Sequence, residues 1–255
     1  MLEPADPVVQ ALADQQAETG LLLDGLFDAD WALPTRCEGW CISDVVLHLA
    51  QSDEMAIASL TGQWAGAGGD STDGWAGGSS VDESVALMVE RERGASSDDL
   101  FTRWMEAASG LLARLDEMDL STRVHWVAGE LAARSLATTR LAETWIHTGD
   151  VAEALGVELQ PTDRLKLIAR LAWRTLTYAF GSAGRTMAGP VALRLDSPSG
   201  EVWEFLPDEP AVTTIMGPAA DLCEVAARRA DPGSTSLHGE GPDSDAVLSL
   251  IRTYA

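Results

Sequence analysis

A helical bundle followed by a small α+β unit is the architecture this sequence predicts, which makes the chain mainly α. Three observations carry that expectation. From Pro7 to Phe180 apolar residues recur at intervals of three and four, the mark of helices that turn one face to a core. From Val191 onward the pattern changes to alternation of apolar and polar residues, the mark of strands. Between them Gly181 to Gly189 is dominated by Gly, Ser and Ala, which places the boundary there and gives units 1–185 and 186–255.

The elements follow in order. Asp6-Pro7 offers a cap and a first-turn proline for a helix from Pro7 to Phe27 carrying Val8, Leu12, Leu22, Leu23 and Leu26. Trp31 to Trp40 holds a proline, a glycine and two tryptophans without periodicity and reads as an ordered loop. A second helix starts near Ser43, with Ile42, Val45, Val46, Leu49 and Ala50 as its apolar stripe. Gly62 to Ser80 has the composition of a long loop or lid. Helices over Val81–Glu92 and Leu100–Met118 come next, then a short irregular stretch from Thr122 to Gly129. The strongest helix runs from Ala132 to Leu155 and is closed by Gly156, and another spans Arg164 to Phe180. Val191 to Phe205 alternates about a Ser-Pro-Ser-Gly turn, which predicts a hairpin, and Val212 to Met216 a third strand. Helices over Ala219–Arg229 and Ser244–Tyr254 complete the second unit.

Charge narrows the function. With 17 Lys and Arg against 40 Asp and Glu the formal charge is −23, so the surface repels phosphate backbones and anionic lipid, and neither nucleic acid nor membrane is expected as a partner. Hydrophobic residues still make up 46% of the chain, enough for a real core despite that charge. No stretch approaches the roughly 20 apolar residues needed to span a bilayer, and the first residues lack the basic start and apolar run of a secretory signal. A cytoplasmic location is expected, and the odd set Cys37, Cys41 and Cys223 argues against a disulfide framework.

The candidate chemistry gathers on helices. Glu143 and His147 stand four residues apart, so both project from one helix face, and imidazole with carboxylate suits a divalent ion such as zinc. His48, on the second helix, completes a three-ligand metal set where the two helices pack together. Asp150 falls in register with the pair. The same spacing also fits an exposed acidic face with a solvated His147, and the residues alone do not choose. His125 precedes the long helix in the irregular segment, where it would line a pocket as a general acid or base; His125 and Asp150 are the candidate catalytic residues. His238, beside Gly239 and Gly241 in a terminal turn, reads as a surface group. Cys37 and Cys41 flank Trp40 at a spacing that is not the usual zinc-ribbon one and have no further ligand nearby in sequence, so both read as packing residues. Trp40, Trp126 and Trp145 lie beside the candidate ligands and would form an aromatic pocket for an apolar or conjugated substrate.

Two blocks, Leu33-Pro-Thr-Arg-Cys-Glu-Gly-Trp-Cys-Ile-Ser-Asp-Val-Val-Leu-His48 and Arg140-Leu-Ala-Glu143-Thr-Trp-Ile-His147-Thr-Gly-Asp150, resemble the mycothiol-dependent maleylpyruvate isomerase family in order and spacing. That family belongs to the DinB-like superfamily of metal-binding four-helix bundles. The resemblance implies a divalent metal, usually zinc, on His48, Glu143 and His147, with Asp150 at a commonly acidic position behind His147. It also implies a C-terminal unit resembling sterol carrier proteins and mycothiol as a thiol cofactor. The implied activity is thiol-dependent isomerisation or thiol S-transfer on a small conjugated or carbonyl-containing metabolite. An arginine from the C-terminal unit would hold an anionic substrate; Arg228 and Arg229 are the candidates, against a plain helix-terminal role. Other readings remain beside it: a metal-dependent hydrolase, rearrangement or cyclisation enzyme without thiol, and a non-catalytic carrier of a hydrophobic ligand. The partner expected in every case is a small molecule, and the chain is expected as a monomer or homodimer.

Overall fold

The computed structural model describes residues 6–64, 80–127 and 129–253. Contacts divide it into two compact units, Met1–Leu159 and Gln160–Ala255. In the first, α1 (Pro7–Leu23) begins where Asp6 Oδ1 accepts from the Val8 amide at 3.0 Å, as the Asp-Pro pair predicts. A short α2 (Asp28–Trp31) leads into the loop before α3 (Ile42–Leu60). Then come α4 (Val81–Glu92) and α5 (Ser97–Asp116), each capped by the serine before it. A hairpin of β1 (Arg123–Trp126) and β2 (Gly129–Ala132) precedes α6 (Ala133–Leu155), which ends at Gly156 with φ 68°.

Packing of α3 on α5 and α1 on α6, with cross-contacts of α3 to α6 and α1 to α5, makes the four long helices a bundle. Its core draws Val45, Val46 and Leu49 from α3, Leu100, Trp104 and Ala108 from α5, and Val151 from α6. The α1–α6 seam is polar instead. Thr19 and Thr148 hydroxyls meet at 2.6 Å and Gln15 donates to Thr148 at 3.2 Å, all of them buried.

The second unit opens with α7 (Leu165–Arg174) and α8 (Leu176–Ser182). These are the helical stretch that periodicity assigned to the bundle side of a boundary near 185. Leu165, Ile168, Ala169 and Ala172 bury themselves instead in the second unit, where α7 packs on α9 (Ala219–Ala226), and Trp173 donates to the Val191 carbonyl at 2.8 Å. Periodicity reports that a segment is helical, not which neighbour receives its apolar face. The helix is also broken at Thr175, whose hydroxyl donates to the Arg252 carbonyl at 2.9 Å. The sheet has the order β4 (Val202–Phe205), β3 (Val191–Asp196), β5 (Thr213–Pro218), β6 (His238–Glu240), with β3 and β5 parallel and the other pairs antiparallel. α10 (Ser244–Leu250) closes the unit.

Two strand pairs depart from the sequence reading. Thr122–Gly129 is not irregular: most of it is β1 and its turn, too short for alternation to register. Strand β6 is three residues centred on Gly239, where a Cβ would stand 2.8 Å from Ile215 and 2.5 Å from Ser244, so the strand exists because glycine lets the backbone approach. Of the loop expected over Gly62–Ser80, residues 65–79 lie outside the described residues.

Candidate metal centre

The loop before α3 is held as a narrow turn. Pro34 bridges Cys41, the Thr35 amide donates to the Trp40 carbonyl at 2.9 Å, and the Trp40 amide donates to the Cys37 carbonyl at 2.9 Å. Gly39 takes φ 75°, a left-handed conformation cheap only for glycine. Asp44 then accepts from the Cys41 amide at 3.0 Å and starts α3. This turn carries Cys37 and Trp40 to the face where α3 meets α6.

On that face His48, Glu143 and His147 converge, with one donor atom from each lying within 4.8 Å of the others. His48 Nε2 is 3.3 Å from Glu143 Oε1, and the two imidazole rings are 4.9 Å apart in an edge-on arrangement. Ligands at zinc bond lengths in a tetrahedron stand about 3.3 Å to 3.6 Å apart, so the set has the right scale for such an ion. Both histidines are buried. Burial lowers the His48 imidazole below its ordinary value, against the opposing hydrogen bond with Glu143, which favours the neutral ring that a metal requires. Burial alone would push Glu143 up; Arg140, His48 and His147 together outweigh it and hold the carboxyl well below the usual carboxylate range.

The surroundings orient these donors. Arg140 is fully buried, pairs with Asp53 at 2.8 Å and takes Glu143 Oε2, leaving Oε1 turned to His48. Asp53 is pushed up by burial against the pull of Arg140, while Asp53 and Glu143 keep the guanidinium charged. Ser52 Oγ lies 3.4 Å from His48 Nδ1, and Asp150 Oδ2 lies 2.9 Å from His147 Nδ1. Each ring thus has Nδ1 engaged and Nε2 left for an ion, the usual outer arrangement of a histidine-bound metal. The donors fit a divalent ion in type, number, spacing and support.

Sequence reasoning brought His48, Glu143, His147 and Asp150 to one place, and the structure assembles all four. His125 it does not bring in. Its carbonyl accepts from Ser59, eleven residues beyond His48 on α3, or about 16 Å along the axis at the rise of an α-helix. Its imidazole is exposed and stands 3.4 Å from Glu130 across the hairpin. The hairpin forms at the far end of α3, so His125 is corrected from a pocket residue to a hairpin surface residue. Trp40 alone of the three expected tryptophans shows ring contact with the histidines, at 5.4 Å from His48 and 6.5 Å from His147. Trp126 lies tilted against Trp64 instead, with ring centroids 5.9 Å apart. Trp40 also lines a cavity of about 500 Å³ with Pro34, Cys41, Leu47 and Arg93.

Cys37 packs against the bundle core as expected, and it does more. Its Sγ lies 3.2 Å from Asp150 Oδ2 and 3.9 Å from His147 Nδ1, partners more than a hundred residues away that no local spacing announces. His238 is exposed, as expected, although it lies in a strand. Arg228, at φ 61°, donates to the Ser249 carbonyl at 2.9 Å, and Arg229 to that of Ala227 at 3.3 Å, which are helix-terminal roles within the second unit.

A four-helix bundle in which two buried histidines and a half-buried glutamate converge across two of its helices defines a protein of the DinB-like class. The profile of the mycothiol maleylpyruvate isomerase N-terminal domain matches residues 12–152, and the chain belongs to that family. An uncharacterised protein of Mycobacterium tuberculosis, found in two strains, is 30% identical over 256 residues, covering 100% of this chain and 97% of its own. Crystal structures of the mycothiol-dependent maleylpyruvate isomerase and of a histidine-to-alanine variant of it share the fold. Their TM-scores are 0.61 and 0.62 at 21% identity, over 94% of this chain and 96% of theirs.

Proposed function

We propose that this chain is a metal-dependent enzyme that uses a low-molecular-weight thiol, mycothiol in the family's named members, to isomerise a small conjugated carbonyl metabolite. The observation that carries this reading is the convergence of buried His48 and His147 with Glu143, whose carboxylate offers one oxygen to the set. A divalent ion of the zinc type held there would lower the pKa of a coordinated thiol and polarise a carbonyl, supplying a nucleophile at neutral pH.

The chain's own residues divide the remaining work. Arg140 withholds Glu143 Oε2, so the carboxylate offers a single oxygen and three protein donors leave room in a four-coordinate shell. Asp150 accepts from His147 Nδ1 and fixes that ring. Trp40 covers both imidazoles and presents an apolar face on which a conjugated substrate would stack, excluding water from the reacting atoms. The second unit is proposed as the sterol-carrier-like domain of the family, and no helix among the described residues is long and apolar enough to cross a membrane.

The deciding assay offers zinc-loaded protein a cis-configured conjugated oxo acid of the maleylpyruvate type, with and without mycothiol. Thiol-dependent conversion to the trans isomer, lost on chelation and restored by zinc, is the expected result. Turnover that ignores the thiol would overturn the cofactor assignment, and retention of the thiol on the product would make the enzyme an S-transferase.

A further inference from the structure

His147 has donor groups on both edges of its ring. On one side stand His48 and Glu143, whose Oε1 is offered inward while Oε2 is held by Arg140. On the other stand Cys37 and Asp150, whose Oδ2 is offered to His147 and Cys37 while Oδ1 lies 3.4 Å from Arg36 Nε. Each carboxylate thus keeps one oxygen on an arginine and turns the other to the shared imidazole. The second set also has one donor atom per residue within 4.8 Å of the others. Its separations are 2.9 Å between His147 and Asp150, 3.2 Å between Cys37 and Asp150, and 3.9 Å between Cys37 and His147. These bracket the spacing of about 3.3 Å to 3.6 Å that tetrahedral ligands at zinc bond lengths take up.

The geometry points to a second metal position formed by Cys37 Sγ, His147 Nδ1 and Asp150 Oδ2, selective for thiophilic ions and occupied in alternation with the first. Selectivity follows from the donors, since a thiolate prefers soft or borderline ions where a second imidazole does not discriminate as strongly. Alternation follows from the ring, because a neutral imidazole has one lone pair to give: an ion on Nδ1 leaves Nε2 protonated and withdraws His147 from His48 and Glu143. Binding releases the Cys37 thiol proton to solvent, and no oxidant is needed. A thiophilic ion in excess would therefore dismantle the first set by taking its shared ligand. This position does not depend on the enzymatic reading, because it is tested with the first set removed.

The experiment titrates metal-free protein with cadmium chloride and follows the thiolate-to-cadmium charge-transfer absorption in the near ultraviolet. In the His48→Ala/Glu143→Ala double variant the band rises and saturates at one Cd²⁺ per chain, and adding Cys37→Ser abolishes it. Wild-type protein binds one ion per chain in total, and zinc content of Cys37→Ser alone reports separately on the first set. Absence of the band from the double variant would overturn the proposal, as would its persistence after Cys37→Ser, which would assign it to Cys41 or Cys223. Two ions per wild-type chain would overturn the alternation. Should the double variant not fold, Glu143→Gln carries the same titration.

Discussion

Asp150 Oδ2 lies 2.9 Å from Nδ1 of His147, three residues earlier on the same helix, and both side chains are buried. A carboxylate so placed fixes the ring's tautomer and orientation. In Asp150→Asn the charge is lost and an amide can present only one acceptor atom. Zinc affinity of the first donor set should fall about 10-fold to 100-fold, the usual loss for such outer partners. Chelator competition measures it, best on a Cys37→Ser background so that a single donor set is read. An unchanged affinity would remove Asp150 from the metal's surroundings.

Metal removal should be visible as stability. An ion that binds the folded chain alone stabilises it by about 2.7 kcal/mol when present at a hundred times its dissociation constant. In a unit of this size that raises the midpoint of thermal unfolding by roughly 5 °C to 10 °C. Calorimetry of zinc-loaded and chelated protein should show the shift in the transition of the first unit, and Glu143→Ala on a Cys37→Ser background, which removes both donor sets, should not show it. Identical midpoints in the two wild-type samples would mean that zinc does not bind the folded site.

The Asp53–Arg140 pair is wholly buried, with side-chain exposures of 1% and 0%. Asp53→Asn removes the charge that balances Arg140 at 2.8 Å while leaving the guanidinium inside, and breaking a buried ion pair from one side costs about 3–5 kcal/mol. Glu143 remains as a counter-charge, so the lower end is expected. Urea denaturation reads it. A loss under about 1 kcal/mol, the scale of an exposed pair, would mean that Arg140 is solvated in solution.

What could be read in advance follows from how local each signal is. Glu143, His147 and Asp150 share one helix, so spacing alone set them on one side, whereas His48 joined them through the resemblance carried by the Leu33–His48 block, since spacing does not say which helices pack together. The Asp6 cap and Gly156 were equally local. The polar partners of Cys37 were not legible because they come from α6, and only the Pro34–Cys41 turn, closed by tertiary packing, carries the thiol to them. His125 was misread for the converse reason: proximity in sequence to the ligand helix says nothing about distance, and the β1–β2 hairpin turns it to solvent at the opposite end of α3. The change of unit failed at α7 because apolar spacing cannot name the surface that receives it.

Glu143 distributes its two oxygens between a positive neighbour and the donor cluster, and two substitutions separate charge from shape. Glu143→Gln keeps the length of the side chain and one carbonyl oxygen. Its amide must either face Arg140, setting donor against donor, or turn inward and offer the ion no lone pair. Metal content should fall to the level of His48→Ala and His147→Ala, with activity lost alongside. Glu143→Asp retains the charge that balances Arg140 but draws the carboxylate back by one methylene, lengthening the 3.3 Å approach to His48. It should fold like wild type and keep a weakened ion, with residual turnover in excess zinc. The order wild type, Asp, Gln in both zinc affinity and rate is therefore expected, measured by elemental analysis after dialysis and by the thiol-dependent assay. Were Gln to hold zinc as firmly as wild type, the carboxylate would not be a ligand and the cluster would be a hydrogen-bonded group alone.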